Sequence, residues 1–129
     1  MESHSSQAPS ELLVNHIARF RKGKALDVAT GYGRNALYLA GRGFQVEGVD
    51  RDEAAVAFCN AEAARRGLSF TAARVDLEKE PSFSEGAYDL VTCFYYLDRN
   101  LMPQIRKAVG PGGMIVYETF LIDQHRQFG

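Results

Sequence analysis

A glycine-spaced turn between an apolar run and a helix-forming run is the feature that most constrains this chain. The stretch reads ALDVATGYGRNALYLA over residues 25–40, with Gly31 and Gly33 on either side of Tyr32. Glycine permits a positive φ and lets backbone approach another group without a Cβ in the way. The helix that follows offers free N–H groups and a partial positive charge to an anion. The stretch therefore predicts a strand, a tight turn and a helix arranged around a small ligand.

The pattern of the remaining chain predicts an α/β fold in which strands and helices alternate. Such alternation indicates βαβ units and a parallel sheet. Right-handed crossovers then favour a doubly wound, mostly parallel sheet with helices on both faces. Ligands of such sheets lie beyond the carboxyl ends of the strands, where the strand order reverses. The predicted strands cover residues 24–29, 44–50, 69–76, 88–96 and 114–121.

Capping residues predict where several helices begin. Ser10, Asp52 and Asn100 each precede a helix-forming run, and their side chains can accept hydrogen bonds from the first free N–H groups. A further helix is predicted from Arg34 to Arg42. The sequence GPGG, residues 110–113, predicts a turn that separates the last helix from the fifth strand.

The length of 129 residues predicts one globular domain, expected over residues 10–129 after a flexible tail at 1–9. A net charge of −1 gives no electrostatic case for nucleic acid or a membrane surface as partner. The tail lacks the basic start and apolar middle of a signal peptide. Cys59 and Cys93 form no CxxC pair and the three histidines are scattered, so we expect a reduced, cytoplasmic protein without a metal site.

An acid at the end of the second predicted strand strengthens the ligand prediction. Asp50 follows Gly31 by 19 positions, a distance at which a carboxylate typically accepts hydrogen bonds from ribose hydroxyls. Two ligand classes fit: nicotinamide dinucleotides, whose GxGxxA fingerprint is formally satisfied by GYGRNA, and S-adenosylmethionine. Asp27, inside the first strand, favours the second class, because a carboxylate there would repel a pyrophosphate but could pair with an ammonium group.

Four segments together resemble the successive motifs of class I S-adenosylmethionine-dependent methyltransferases. They are LDVATGYGRNALYLA, GVD ending in Asp50, YDLVTCFYYL and VGPGGMIVYETF, and the resemblance covers about residues 9–122. Within that superfamily, GRNALYLA and YETF are similar to the tellurite-resistance methyltransferase group. The resemblance implies methyl transfer from S-adenosylmethionine to a small-molecule acceptor, with S-adenosylhomocysteine as product. The alternatives are a module that binds either compound without turnover and an NAD-binding oxidoreductase.

The resemblance also implies a role for each matching residue. Asp27 matches the acid that helps to hold the methionine ammonium, and Asp50 matches the acid that binds both ribose hydroxyls. Arg51 stands where the family usually has an apolar residue over one face of the adenine, and a guanidinium can stack on a base as well. The glycine loop that runs under the methionine and ribose is matched by Ala29, Thr30, Gly31 and Gly33. The pair that borders the adenine is matched by Asp76 and Leu77, and the segment that lines the sulfonium is matched by Phe94 and Tyr95.

Structural roles compete with several of these functional ones. Asp27 could be a buried acid satisfied by loop N–H groups, and Asp76 could be an ordinary loop acid. Tyr95, Tyr96 and Glu118 are the candidate bases for a protonated acceptor, whereas a soft, anionic acceptor would need none. Because neighbours on a strand face opposite ways, we expect one of the two tyrosines to be a packing residue.

The chain departs from the family pattern at its C-terminal side. The family sheet has seven strands, of which the last two form a hairpin that closes one edge, whereas the pattern here predicts five. The fifth predicted strand, residues 114–121, would then be an exposed hydrophobic edge that can pair with another chain. We therefore expect either a dimer or a higher assembly through this edge, or a protein of marginal solubility.

Overall fold

A five-stranded sheet forms the centre of the structure, a computed structural model that describes residues 8–79, 83–96 and 98–118. The described strands are β1, Lys24–Val28; β2, Gln45–Asp50; β3, Phe70–Arg74; β4, Tyr88–Phe94; and β5, Val109–Glu118. They lie in the order β3-β2-β1-β4-β5, and each neighbouring pair is parallel. The predicted doubly wound fold is confirmed.

Helices cover both faces of this sheet. They are α1, Glu11–His16; α2, Arg34–Gly41; α3, Glu53–Arg66; and α4, Met102–Ala108, with 3-10 turns at Ile17–Arg19 and Arg99–Leu101. The first three helices share one core, in which Leu13, Leu39 and Cys59 are fully buried. α4 contributes Ile105 and Ala108 to a second core on the opposite face. None of the described helices combines the length and the apolar character needed to cross a membrane.

The strand order reverses between β1 and β4, and this reversal positions the site. The chain leaves β1 toward β2 on one side of it, while β4 pairs with β1 on the other side. Because all the pairs are parallel, the loops that follow β1, β2 and β4 emerge at the same edge of the sheet. A crevice at this carboxyl edge is where such sheets bind ligands.

The predicted start of α3 is confirmed. The Asp52 carboxylate accepts hydrogen bonds from the backbone N–H groups of Ala54 at 3.0 Å and Ala55 at 3.4 Å. The helix ends at Gly67, whose φ of 68° is the left-handed conformation in which glycine closes helices. Both ends of this helix therefore follow from local chemistry.

Ser10 and Asn100 do not supply the predicted side-chain caps, although α1 does begin directly after Ser10. Ser10 precedes α1 but makes no capping bond; its hydroxyl donates to Glu118 Oε1 at 2.8 Å and its N–H donates to Asn35 Oδ1 at 2.7 Å. Asn100 lies inside a 3-10 turn, and α4 begins two residues later with a proline in its first turn. Ser10 does not cap because its hydroxyl and its N–H are used by partners distant in sequence. Asn100 does not cap because α4 begins later, where a proline occupies its preferred place in the first turn.

The predicted turn at residues 110–113 is also wrong, because these residues belong to β5. Tyr88 lies opposite Val109, but Leu90 lies opposite Met114, so the pairing shifts register between the two. The GPGG sequence therefore forms an irregularity within a strand, which is a common use of glycine and proline at sheet edges.

β5 is the edge strand of the described sheet, as predicted. Met114 on this strand is 46% exposed. The predicted strand continued over residues 119–121, which lie outside the described residues. β4, in contrast, ends earlier than predicted, because Tyr95 has a φ of 59° and so leaves the extended conformation.

Two glycines of the turn differ in what a side chain would meet. At Gly33 (φ 83°) a Cβ would lie 2.9 Å from Cys59 Sγ and 3.2 Å from a ring carbon of Phe70, whereas at Gly31 (φ 58°) it would meet nothing within 4 Å. We expect Gly33→Ala to lower the free energy of unfolding by about 2–4 kcal/mol, from backbone strain and overpacking together. Gly31→Ala, the matched control, should cost about 1–2 kcal/mol from backbone strain alone.

Urea unfolding of both variants measures the difference. Equal losses would show that packing of the turn against α3 and β3 adds nothing to the requirement for glycine at position 33.

Candidate functional site

The turn after β1 is held in a strained shape and tied to β2. Ala29 has a φ of 57°, unusual for a residue with a side chain, and Gly31 and Gly33 are also at positive φ. The N–H of Thr30 donates to the carbonyl of Val49 at 2.9 Å. Conformations of this kind persist only where the surroundings enforce them, and they cluster at functional sites.

The Asp27 carboxylate lies beneath this turn and is almost fully buried, with 3% of the residue exposed. Thr92 Oγ1 donates to its Oδ1 at 2.6 Å, and Thr30 Oγ1 donates to its Oδ2 at 2.7 Å. Burial raises the pKa of Asp27 to about 6, while the two hydroxyl hydrogen bonds and the charge of Arg34 oppose that rise. The structural alternative for Asp27 expected loop N–H groups to donate to its carboxylate, but two threonine hydroxyls donate to it instead.

Asp50 joins the turn to the end of β2. Its Oδ2 accepts a hydrogen bond from the N–H of Gly31 at 2.8 Å, and its Oδ1 accepts one from the N–H of Asp52 at 2.9 Å. The carboxylate is therefore fixed by one donor on each oxygen. Each oxygen has a second lone pair, which leaves capacity for two further donors.

A cavity of about 190 Å³ opens beside this carboxylate. Ala29, Leu77 and Tyr96 supply its less polar walls, and Asp50 and Arg51 supply its charges. An apolar slot with a fixed carboxylate at one end can hold a flat heterocycle attached to a group that donates hydrogen bonds. The structure thus brings together four residues predicted to bind a cofactor with one, Tyr96, that was predicted only as a candidate base.

A larger cavity, about 620 Å³, lies at the carboxyl ends of β4 and β5. Residues 8–11 form one wall, and Arg34, Tyr95 and Glu118 form the rest of the lining. Hydrogen bonds from Ser10 to Glu118 and from Arg34 to the carbonyl of Ala8, both 2.8 Å, attach that wall to the sheet and to α2. The cavity offers room and polar groups for a second, smaller molecule.

Three predicted site residues have structural partners. Phe94 is buried in the core shared with α1, α2 and α3. Asp76 Oδ1 accepts a hydrogen bond from the N–H of Glu78 at 3.1 Å, an arrangement typical of a turn. Gly33 is required by its packing against Cys59 and Phe70, as described above.

The two tyrosines after β4 face different cavities, and Tyr96 also packs, partly buried, against the second core, as expected for one of the two. Tyr95 is 41% exposed and lines the larger cavity, while Tyr96 lines the smaller one. Burial raises the pKa of Tyr96, with the nearby Asp98 and Glu78 acting in the same direction and Arg51 against them. Tyr96 therefore remains protonated near neutral pH and is suited to donate a hydrogen bond rather than to accept a proton.

Sequence reasoning missed Thr92 and the lining role of Ser10 and Glu11. Thr92 is fully buried in the middle of an apolar strand. A buried hydroxyl needs a hydrogen-bond partner. Asp27, which lies opposite Thr92 in the pairing of β1 with β4, was the residue in the sequence that could have indicated one.

Comparison with known proteins agrees with this geometry. Residues 25–113 match the family of methyltransferase domains. The chain belongs to the methyltransferase domain family. The predicted resemblance to class I methyltransferases is thereby confirmed, and the two similarities to TehB described next support the predicted group.

Curated relatives and a solved structure give the extent of the similarity. The chain is 30% identical over 105 residues to ubiquinone biosynthesis O-methyltransferase of Burkholderia vietnamiensis, covering 74% of this chain and 44% of that protein. It is 33% identical over 87 residues to a Haemophilus influenzae protein named "Probable S-adenosyl-L-methionine-dependent methyltransferase TehB", covering 65% of this chain and 30% of that one.

The crystal structure of TehB from Haemophilus influenzae superposes with a TM-score of 0.76 at 26% identity, covering 88% of this chain and 41% of that chain. This methyltransferase domain therefore spans less than half the length of each of these three relatives.

Replacement of the buried acid tests its electrostatic cost. The pKa of Asp27 is raised from 3.8 to about 6 in the folded chain, so the folded state holds its proton longer and stability falls as the pH rises from about 4 to about 6. We expect Asp27→Asn to be more stable than the wild type above pH 6 by up to about 3 kcal/mol, and to lose that advantage near pH 4.

Urea unfolding of both chains at a series of pH values from 4 to 8 gives this difference. A difference that stays constant over the whole range would mean that Asp27 carries no raised pKa.

Proposed function

We propose that this domain binds S-adenosylmethionine and transfers its methyl group to a small-molecule acceptor. The observation that carries the proposal is the fixed Asp50 carboxylate beside an apolar slot, at the edge where the strand order reverses. Methyltransferase membership supports the reaction class, and the geometry of the site supports binding of the cofactor by this chain.

The smaller cavity fits the adenosine part of the cofactor. The two remaining lone pairs of the Asp50 carboxylate can accept the two ribose hydroxyl protons, because Gly31 and Asp52 already occupy the other pair. The base would lie between Leu77, Tyr96 and Arg51, where aromatic, aliphatic and guanidinium groups all tolerate a flat heterocycle. Gly31 leaves open space on its Cβ side, so the backbone of the turn can approach the ribose closely.

The methionine part would pass from the turn toward the larger cavity. Asp27 lies under the turn and supplies a buried negative charge that attracts the ammonium and the sulfonium groups. When the positive cofactor binds, it favours the ionised carboxylate and so lowers the pKa of Asp27. Thr30 and Thr92 stabilise the same ionised form by donating to its two oxygens.

The cofactor supplies a methyl group on a positively charged sulfur, which is already a strong electrophile. The chain therefore contributes alignment and exclusion of water more than chemical activation. Residues 8–11 form one wall of the larger cavity and can shield one side of an acceptor there. Glu118 lines that cavity and can accept a proton from an acceptor hydroxyl or amine, whereas Tyr96, with its raised pKa, serves better as a donor.

Further expectations belong to this proposal. We place the protein in the cytoplasm, because its two described cysteines are free and buried, which suits a reducing compartment. The exposed edge strand β5 is the surface through which two copies would pair. No basic patch on the sequence favours nucleic acid as acceptor.

Calorimetric titration with S-adenosylmethionine, S-adenosylhomocysteine and NAD tests the cofactor assignment. We expect the first two to bind and NAD not to bind. Asp50→Asn should weaken binding of both by roughly 10- to 100-fold, the effect of losing a charged hydrogen-bond acceptor. Asp89→Asn is the matched control, because Asp89 bonds to Lys24 at the opposite edge of the sheet.

Each other result has a distinct meaning. Binding of NAD instead would make the domain an oxidoreductase. Binding of S-adenosylmethionine without turnover of any tested acceptor would identify a binding module rather than an enzyme.

A further inference from the structure

Thr92 lies inside β4, and none of its surface is exposed to solvent. In the pairing of β1 with β4 it lies opposite Asp27. Its hydroxyl has one proton and two acceptors within reach, Asp27 Oδ1 at 2.6 Å and the carbonyl oxygen of Leu26 at 3.5 Å. The shorter distance and the charge of the carboxylate assign the proton to Asp27.

Thr92 is placed where it can act on a ligand only through Asp27. It is absent from the lining of both cavities that the structure describes at the carboxyl edge, and its full burial keeps it away from any bound molecule. Thr30, the other hydroxyl on this carboxylate, belongs to the turn itself. A change at Thr92 therefore alters the state of the buried acid without altering the surface that a ligand meets.

The other charged and titratable groups around Asp27 do not fix its ionisation. Arg34 at the start of α2 favours the ionised carboxylate, while Asp50 at the end of β2 opposes it. Cys59 on α3 and Cys93 on β4 stay neutral at neutral pH, because burial raises the pKa of each thiol to about 12. Among the described residues, no cation forms an ion pair with Asp27 within 4.0 Å.

Two opposing effects dominate the pKa of Asp27. Burial is the larger and raises the pKa to about 6, and the hydrogen bond from Thr92 is the largest effect in the other direction. A carboxylic acid that keeps its proton offers no charge to a cation. The hydroxyl of Thr92 thus keeps the acid charged over a range of pH in which burial alone would leave it neutral.

We propose that Thr92 is a positioning residue that keeps the Asp27 carboxylate ionised for the cofactor ammonium and thereby sets the lowest pH at which the cofactor binds tightly. The proposal rests on the proposed function, because it assumes that the ammonium group of the cofactor approaches the buried acid. Binding of the cofactor then releases the proton of Asp27 wherever the free protein still holds it.

The dependence of cofactor affinity on pH tests this role. The probe is S-adenosylhomocysteine, whose amino group stays protonated between pH 5 and pH 8, titrated calorimetrically into the wild type and Thr92→Val. We expect the wild type to bind roughly tenfold more tightly at pH 8 than at pH 5. Thr92→Val, which keeps the shape but lacks the donor, should lose roughly tenfold in affinity at pH 6 and less than about threefold at pH 8.

Three further variants separate the hydroxyl from general damage. Thr92→Ser keeps the donor and should restore the wild-type pH profile, whereas Thr92→Ala removes it and should shift the profile as valine does. Thr71→Val makes the same substitution at an exposed site on β3 and should change nothing. Circular dichroism at each pH verifies that every variant is folded.

Proton release gives a second measurement that a merely structural role would not move. Titrations at pH 6 in buffers of different ionisation enthalpy count the protons released on binding. We expect about half a proton from the wild type and close to one from Thr92→Val. Asp27→Asn should release none, and in that background Thr92→Val should cause no further loss of affinity.

The outcomes separate this assignment from the proposed function. An equal loss at pH 6 and pH 8 in Thr92→Val, or a Thr92→Ser variant that behaves like valine, would overturn the role of the hydroxyl. Wild-type binding that is independent of pH would also overturn it and leave the cofactor assignment intact. Failure of the folded wild type to bind S-adenosylhomocysteine at pH 8 would overturn the proposed function, and this assignment with it.

Discussion

The hydrogen bond from the N–H of Gly31 to the Asp50 carboxylate is the contact on which the site depends. It joins the turn after β1 to the end of β2, and the second oxygen of the same carboxylate receives the N–H of Asp52 at the start of α3. One side chain thus sets the relative position of two loops and one helix. Parallel pairing of β1 with β2 brings these loops to one edge, so the position of the candidate ligand surface follows from the order of the strands.

A second constraint is the buried acid beneath that turn. An almost fully buried carboxylate costs stability, as its raised pKa indicates, and the two threonine hydroxyls offset only part of this cost. We expect a neutral residue at position 27 to give a more stable core above pH 6. Under the proposed function, the acid attracts a positively charged ligand, and the strained backbone at Ala29 and Tyr95 lies at the same edge of the sheet.

The order of the elements could be predicted from sequence because strong local signals coincide with the tertiary structure. Asp52 and Gly67 mark α3 by capping chemistry, and the alternation of strands and helices fixes a parallel sheet. Ser10 could not be predicted as a tertiary contact, because its partner Glu118 lies 108 positions away in sequence. Residues 110–113 have the composition of a turn, and only pairing with β4 draws them into β5.

The site itself was partly predictable. Asp27 and Asp50 follow from the family resemblance, and the structure surrounds each with hydrogen-bond donors. Tyr96 was expected only as a candidate base, but it lines the smaller cavity. Its direction follows the positive φ of Tyr95, the preceding residue, and the sequence does not reveal that backbone conformation. The partners of Thr92 and Arg34 lie on a neighbouring strand and loop, and Thr92 is matched with Asp27 only once the register of β1 and β4 is known.

Amide chemical-shift mapping of the labelled chain with S-adenosylhomocysteine tests the central claim most directly. If the carboxyl edge beside Asp50 is the cofactor site, the largest shifts will fall on Gly31, Leu77 and Tyr96, with the amides of Gln45 and Asp89 at the opposite edge unchanged. Shifts concentrated at that opposite edge, or binding that leaves the Gly31 amide unmoved, would contradict the account.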